Sequence, residues 1–241
     1  MSKSPNTNEE VLRVTDLHAY YGESHVLHGI NFQVHRGELV TLLGRNGAGR
    51  STTLKSILGS TVTKRSGSVM LEGQEVIGWP SHKVARLGLG YCPEERGIFS
   101  SLSCEENLLL LPKVGNGGMS LDEIYEIFPN LKERKNSPGT RLSGGEQQML
   151  ALARILRTGA TVLLLDEITE GLAPVIVQAM GKAIRLLKEK GYTIILVEQN
   201  FRFAAKLADR HYVIEHGEIV MTVNQSELEG RMDALHHMLG V

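Results

Sequence analysis

The chain has 241 residues, of which 41% are hydrophobic and 22% are charged, and its formal net charge is -1. This is an ordinary globular composition, which excludes a wholly disordered chain and gives no sign of a bulk attraction to nucleic acid. The only two cysteines, Cys92 and Cys104, are too few for a disulfide framework and fit reduced thiols. No apolar run approaches the length of about 18 residues that a membrane helix needs.

The first part of the chain predicts strands, a glycine-rich loop and a helix. Residues 1–10 are polar, lack the apolar core of a signal peptide, and are expected to form a flexible tail. Residues 11–34 predict short strands separated by polar turns. The apolar run Leu39–Leu43 predicts a buried strand, and apolar residues at helical spacing behind the glycines predict a helix. Residues 68–76 predict a small hairpin.

The character of the chain changes at residue 93. Residues 93–139 alternate helical stretches with loops that contain Gly and Pro, which indicates an inserted, mainly helical lobe. Beyond it, strand and helix patterns alternate again, and this order predicts an α/β fold with a mainly parallel sheet. The elements expected there are strands at 162–165 and 193–197, helices at 149–156 and 175–188, and a hairpin at 212–221.

The glycine-rich segment 44–52 lies between the predicted strand and helix, as a phosphate-binding loop requires. Its backbone N–H groups would surround phosphate oxygens, and the following helix would direct its positive end at the same anion. We expect Ser51 to ligate Mg²⁺ and Thr52 to contact a phosphate oxygen. A Gly-rich turn that binds no ligand is the alternative. The predicted loop consists of Gly44, Arg45, Asn46, Gly47, Ala48, Gly49, Arg50, Ser51 and Thr52.

Position 50 departs from the general pattern of such loops, which have lysine there. Arg50 keeps the positive charge, but arginine is a longer planar fork whereas lysine is a compact point charge. We therefore expect phosphate binding to survive. Two hypotheses stay open for catalysis: Arg50 either substitutes for lysine or lowers the turnover.

Two acids, Asp166 and Glu167, follow the predicted strand at 162–165. Open α/β sheets bind ligands at the carboxyl ends of their strands, so these side chains are candidates for the same site as the glycine-rich loop. We expect Asp166 to hold Mg²⁺, directly or through water, and Glu167 to polarise the attacking water. The alternative, a strand that ends in ordinary solvated acids, is weakened by the nearby loop motif.

A third motif, Leu-Ser-Gly-Gly-Glu-Gln-Gln at 142–148, precedes a predicted helix. Ser143 and Glu146 have the spacing of a capping box, and Gly144 with Gly145 would expose backbone N–H groups as a second anion site. The alternative, a capped helix without a ligand, would explain Ser143 and Glu146. It would not explain two adjacent glycines, which weaken a first helical turn.

The three motifs, in this order, resemble those of the ATP-binding subunits of ABC transporters over about residues 11–241. The resemblance implies a P-loop NTPase ABC-type nucleotide-binding domain that binds and hydrolyses ATP with Mg²⁺. Its core, at 11–92 and 140–241, would contain a mainly parallel sheet and an antiparallel β subdomain, and 93–139 would form the main part of a helical subdomain. Two such domains would meet head to tail, so that Ser143, Gly144 and Gly145 of one face the nucleotide of the other.

The resemblance also implies roles for three further side chains. Tyr21 matches the aromatic residue that stacks on adenine, with Tyr20 as its rival and an ordinary core or surface tyrosine as the alternative. Glu94 falls where the family usually has a glutamine that links nucleotide to the helical lobe. Gln199 falls where many members have a histidine that senses the γ-phosphate, and with Glu167 and Arg50 it completes the expected catalytic set.

Several departures from the common family pattern are shared with one subgroup. Residues 93–94, 105–108, 170–174 and 197–200 together resemble an ATP-binding subunit of branched-chain amino acid importers. That resemblance implies membrane-spanning permease subunits, a second ATP-binding subunit (a related chain or a second copy), an indirect periplasmic solute-binding partner, no nucleic acid, and a peripheral position on the cytoplasmic face of the inner membrane. Ile168 is a further departure, since proline is usual there, and we expect it to alter the turn that carries Glu167.

Three alternatives to this function stay open. Related importers share these motifs, so the solute could be urea or a short amide. A soluble ABC protein that acts in translation or DNA maintenance would usually have paired domains or long coiled-coil insertions, and neither is visible here. A weakly hydrolysing nucleotide-dependent regulator is suggested by Arg50 and Ile168 and opposed by the presence of Glu167.

Overall fold

The computed structural model describes residues 9–60, 64–115 and 117–240, which form two β-sheets and a set of helices. The strands are β1 Glu10–Tyr21, β2 Ser24–His35, β3 Leu39–Leu43, β4 Lys64–Leu71, β5 Gln74–Glu75, β6 Leu89–Cys92, β7 Val162–Asp166, β8 Thr193–Val197, β9 Arg210–Glu215 and β10 Glu218–Asn224. The α-helices are α1 Arg50–Leu58, α2 Ser81–Ala85, α3 Cys104–Leu109, α4 Leu121–Ile127, α5 Pro129–Glu133, α6 Gly144–Leu156, α7 Pro174–Glu189, α8 Phe201–Ala204 and α9 Leu228–Leu239. Short 3₁₀ turns lie at Gly139–Arg141 and Gln225–Glu227.

The larger sheet has the strand order β10-β9-β3-β8-β7-β6 and is parallel except for the pairing of β10 with β9. Every residue of β3, β7 and β8 is buried, as expected of strands covered on both faces. This confirms the mainly parallel α/β prediction. Because parallel strands end at one edge of a sheet, the residues that follow β3, β6, β7 and β8 all emerge at the same edge.

The smaller sheet is antiparallel, with the order β2-β1-β4-β5. The prediction of short strands over 11–34 was wrong: β1 and β2 each have 12 residues. A turn does lie between them, at Gly22 and Glu23. The other polar residues of this range lie within the strands, where bulges near Asp16 interrupt the register without ending the pairing. Strand β1 is paired on both sides, by β2 and by β4, and this continuous pairing overrides its polar positions. The hairpins predicted at 68–76 and 212–221 are confirmed.

Helices α3, α4 and α5 lie within residues 93–139, and serine capping boxes open α3 and α4. Their buried side chains, including Leu108, Phe128 and Leu131, join a hydrophobic cluster that also contains residues of α6. The assignment of 93–139 as a subdomain stays a prediction. Across the described residues, the helices are too short or too polar to span a bilayer. Cys92 and Cys104 are both buried and free.

Of the tail predicted over residues 1–10, residues 1–8 lie outside the described part of the chain. The described remainder is tied to the fold. Glu9 accepts two hydrogen bonds from the Arg36 guanidinium at 2.8 Å, and Glu10 begins β1.

Candidate functional site

A cavity of about 530 Å³ lies at the carboxyl edge of the parallel sheet. It brings together segments that are far apart in the sequence: the loop after β3, Glu94 after β6, and the residues after β7 and β8. Its lining residues are Val26, Asn46, Gly47, Gly49, Arg50, Ser51, Thr52, Glu94, Glu167, Glu170 and Gln199.

The loop between β3 and α1 is packed on one side and open on the other. A Cβ on Gly44 would lie 2.3 Å from the backbone oxygen of Ile214 in β9, whereas a Cβ on Gly47 would meet nothing within 4 Å. Gly49 caps α1 with a φ of 109°, and no side chain caps the first turn of the helix. The open side and the helix start therefore leave backbone N–H groups available to an anion.

Arg45 belongs to the predicted loop, but its side chain points to the end of the chain. Its Nε donates to the backbone oxygen of Met238 at 2.9 Å and its Nη2 to that of His237 at 3.0 Å. Both acceptors belong to the last turn of α9, whose carbonyl groups have no partner within the helix. The Arg45 side chain therefore holds α9 against the loop and is not among the residues that line the cavity.

Arg50 connects the loop with the segments that follow β7 and β8. Its Nη2 donates to Glu167 Oε1 at 2.8 Å and to Asn46 Oδ1 at 3.2 Å, and its Nη1 donates to the Glu198 backbone oxygen at 3.2 Å. Arg50 and Glu167 are only 4% and 9% exposed, so solvent screens this ion pair far less than a surface pair. The sequence motifs placed Arg50 in the loop but gave no sign of this contact.

Asp166, at the end of β7, is buried and accepts two hydroxyl hydrogen bonds. Ser51 Oγ donates to its Oδ1 at 2.8 Å and Tyr91 Oη to its Oδ2 at 2.9 Å. Burial raises the pKa of Asp166, and the bonds from Ser51 and Tyr91 oppose that rise. Desolvation and the nearby Asp166 charge both raise the pKa of Tyr91, so its hydroxyl remains a donor. No sequence motif indicated Tyr91, because β6 has only four residues and lacks a recognisable strand pattern.

Glu167 has a φ of 48°, in the left-handed region, and its carboxylate is held from both sides. Gln199 Nε2 donates to Oε2 at 2.8 Å, opposite the Arg50 contact with Oε1. Burial alone would raise the pKa of Glu167. Hydrogen bonds with Glu170 and Gln199 and the charge of Arg50 outweigh that effect and lower the pKa. A proline at position 168 would push Glu167 towards an extended backbone, whereas the buried Ile168 permits this turn.

The cavity wall also contains a group of carboxylates. Oxygen atoms of Glu94, Glu167 and Glu170 lie within 4.8 Å of one another. The hydrogen bond with Glu167, together with burial, raises the pKa of Glu170 to about 7, and burial also raises the pKa of Glu94. Glu170 is therefore partly protonated near neutral pH. No sequence motif indicated it as a site residue.

Glu198, in the segment after β8, is 3% exposed and binds the loop after β7. Its carboxyl group accepts from Thr169 Oγ1 at 2.9 Å and from the Thr169 backbone N at 3.1 Å. Burial raises the pKa of Glu198 to about 7, although the Thr169 hydrogen bonds act in the opposite direction. Glu198 thereby ties the two segments that carry Glu167 and Gln199.

The two tyrosines at the end of β1 differ in their surroundings. The Tyr20 ring is stacked on His25, with centroids 4.2 Å apart, and lies under Lys64 Nζ. Tyr21 is 37% exposed, beside the β1–β2 turn. Tyr21 is therefore the freer ring for stacking, although it is not among the residues that line the cavity.

The capped start of α6 lies outside this cavity. Ser143 Oγ accepts from the Glu146 backbone N, and the Glu146 carboxylate accepts from the Ser143 backbone N, which confirms the predicted capping box. A Cβ on Gly145 would approach Ile176 Cγ2 of α7 to 2.8 Å, so the absence of a side chain permits α6 and α7 to pack closely. None of Ser143, Gly144 and Gly145 lines the cavity of the same chain.

Comparison with known proteins gives consistent matches over most of the chain. A family model described as "ABC transporter" matches residues 27–170. The chain is 45% identical over 205 residues to the high-affinity branched-chain amino acid transport ATP-binding protein BraG of Pseudomonas aeruginosa, covering 84% of this chain and 88% of that protein. It is 35% identical to the probable branched-chain amino acid transport ATP-binding protein LivF of Archaeoglobus fulgidus, covering 90% and 94%. Among solved structures, an ATP-binding subunit of an ABC transporter is similar with a TM-score of 0.78 and 26% identity, covering 96% of this chain and all of that one.

Proposed function

The chain belongs to the ABC transporter family, and from that premise we propose that it binds and hydrolyses ATP to power a membrane importer of branched-chain amino acids. One observation carries the catalytic part of this proposal: the phosphate loop, Asp166 and Glu167 meet at one edge of the parallel sheet, where Ser51 bonds Asp166 and Arg50 bonds Glu167. The importer and its solute are inferred from the similarity to BraG and LivF.

The donors around Ser51 fit Mg²⁺. A hydroxyl oxygen and a carboxylate oxygen are hard ligands of the kind that Mg²⁺ prefers, and Ser51 Oγ and Asp166 Oδ1 are already 2.8 Å apart. We assign Mg²⁺ binding to these two residues, with Tyr91 fixing the second Asp166 oxygen. When bound, the ion would neutralise charge on the phosphate oxygens.

The reaction is phosphoryl transfer from ATP to water, in which positioning and charge stabilisation contribute most of the rate. The loop 44–52 would hold the phosphates through its backbone N–H groups, and Arg50 would neutralise phosphate charge. Glu167 would orient the attacking water and accept its proton. Gln199 can hydrogen bond a phosphate oxygen but cannot carry a proton as an imidazole does. Tyr21 would stack on adenine, and Glu94 would contact the nucleotide from the helical side.

The position of Ser143, Gly144 and Gly145 outside the cavity supports a two-domain site. The capped start of α6 offers backbone N–H groups to an anion, yet these residues do not line the cavity of their own chain. We propose that they face the nucleotide of a second ATP-binding subunit, which would be a related chain or a second copy. Permease subunits would form the channel, a periplasmic protein would deliver the solute, and this chain would lie peripherally on the cytoplasmic face of the inner membrane.

The test is an ATPase assay on the chain reconstituted with its permease subunits. We expect Mg-ATP hydrolysis that rises when a loaded solute-binding protein is added, with leucine, isoleucine or valine as solute. Stimulation by urea or short amides instead would reassign the solute. Purified protein without affinity for Mg-ATP would refute the proposed site, and binding without any turnover would favour the regulator.

A further inference from the structure

A groove between α7 and α8 contains positive charge that the proposed ATPase chemistry does not use. Its volume is about 440 Å³. Helix α7 contributes Lys182 and Arg185 to its lining, and the segment of α8 contributes Arg202 and Lys206. All four of these side chains are exposed. We refer to the cavity with these four cations as the α7–α8 groove.

The same groove has apolar lining residues, among them Val177 and Phe203, and one glycine determines its shape. A Cβ on Gly181 would come within 3.1 Å of Phe203 Cε2, so the missing side chain allows the ring to lie against α7. Glycine within a helix is less stable than alanine at the same position. The close contact with Phe203 explains why glycine is favoured at position 181. Phe203 itself remains partly exposed.

The four cations of the groove are unpaired within the described part of the chain. None of them forms an ion pair there, whereas the neighbouring Lys188 bonds Asp209 at 2.6 Å. Four like charges around one concavity repel each other and raise the local concentration of anions. A negatively charged occupant is therefore complementary to this surface.

We propose that the α7–α8 groove binds an acidic segment of a partner protein that carries an apolar anchor residue. The cations account for the acidic side chains and the exposed part of Phe203 for the anchor. An inorganic anion would leave the apolar lining unused. An anionic membrane is flat, so it would reach the exposed cations but not the floor of a concave groove. A surface that combines cations with an aromatic ring is suited to a protein segment that binds through its opposite charge and through one side chain that becomes buried.

The groove adjoins the candidate site, so an occupant of the groove would lie close to the residues proposed for catalysis. Val177, Gln178 and Asn200 line both the groove and a neighbouring cavity that contains Glu167 and Gln199. Asn200 also caps α8, since its Oδ1 accepts from the Phe203 backbone N at 3.1 Å. A segment bound beside Phe203 would therefore contact α8, which begins two residues after Gln199. The binding proposal itself does not depend on the function proposed above.

The experiment measures binding of a defined peptide by fluorescence anisotropy. The probe is a short labelled peptide of Glu and Gly residues around a central Phe, and the matched probe has Ser in place of Phe. At low ionic strength we expect saturable binding of the Phe peptide and weaker binding of the Ser peptide. The double variant R185E/R202E should weaken binding by about tenfold or more.

The control is K83E/R86E, which makes the same change in net charge on exposed residues of α2 and just after it. Equal weakening by this control would overturn the proposal, because it would show a response to net charge alone. Absence of saturable binding, or binding to vesicles that contain anionic lipid in preference to the peptide, would overturn it as well. Thermal unfolding and Mg-ATP binding of each variant are measured in parallel, so that a misfolded protein or a failed ATP site is recognised separately.

Discussion

The Arg50 guanidinium contacts the Glu167 carboxylate at 2.8 Å and joins the glycine-rich loop to the residue that follows β7. The same guanidinium bonds the Glu198 backbone oxygen, so three segments of the site converge on one side chain. Arg50, which we assign to the phosphates, and Glu167, which we assign to the attacking water, therefore neutralise each other's charge in this arrangement. A bound phosphate would compete with Glu167 for Arg50.

Replacing Arg50 with lysine should raise the ATPase kcat by about fivefold, equivalent to roughly 1 kcal/mol. Lysine keeps the charge that phosphate needs, but its single ammonium cannot reproduce the planar fork that holds Glu167 and Glu198 together. Steady-state hydrolysis and nucleotide affinity are measured side by side. R50A, which removes the charge, serves as the comparison and should lose affinity for ATP. A lower kcat in R50K would contradict the competition between phosphate and Glu167.

Replacing Glu167 with glutamine should preserve ATP binding and reduce hydrolysis by about 100-fold or more, because an amide cannot accept a proton from water. Equilibrium binding and turnover are compared in the same preparation. E170Q is the matched control: the pKa of Glu170 is raised to about 7, so its side chain is already partly neutral at neutral pH, and a neutral amide should leave most activity intact. Full activity in E167Q would remove Glu167 from its assigned role.

Glu198 predicts a specific dependence of folding stability on pH. Its pKa is raised from 4.5 to about 7 in the folded protein, so the folded state keeps a proton that the unfolded chain has already lost between these values. The contribution of Glu198 to the free energy of unfolding therefore falls as pH rises through this window and is constant above it.

The variant E198Q cannot titrate at this position, and it should gain stability relative to the wild type as pH rises from about 4.5 to about 7. Each unit of pKa difference corresponds to about 1.4 kcal/mol. Urea unfolding at a series of pH values measures the difference, and Glu170, which titrates in the same range, is common to both proteins. A difference that stays constant with pH would show that Glu198 is ionised throughout.

Two Gly→Ala substitutions should change stability in opposite directions. Gly44→Ala would place a Cβ 2.3 Å from a backbone oxygen of β9, which cannot move without disturbing the sheet, and we expect a loss of about 3 kcal/mol. Gly230→Ala lies in α9, where a Cβ would meet nothing within 4 Å, and should add up to about 1 kcal/mol. Thermal or urea unfolding decides both cases, and a stable G44A protein would contradict the close packing of this loop.

The sequence allowed the parallel core to be predicted because strands such as β7 are continuous apolar runs bounded by clear signals. It also predicted the capping box at Ser143, where the signal is local. The full length of β1 was not predictable, since it depends on pairing with two partner strands rather than on its own alternation. The same reason applies to the site. Motifs selected Asp166 and Glu167, but contacts such as Tyr91 with Asp166 join residues 75 positions apart and exist only after folding.

The bond between Arg45 and the end of α9 has a practical consequence. The Arg45 guanidinium bonds α9 to the loop that we propose holds the nucleotide, so we expect an extension fused to the carboxyl terminus to disturb that loop. A purification tag placed there should alter nucleotide affinity, and R45A should reduce the difference between tagged and untagged protein.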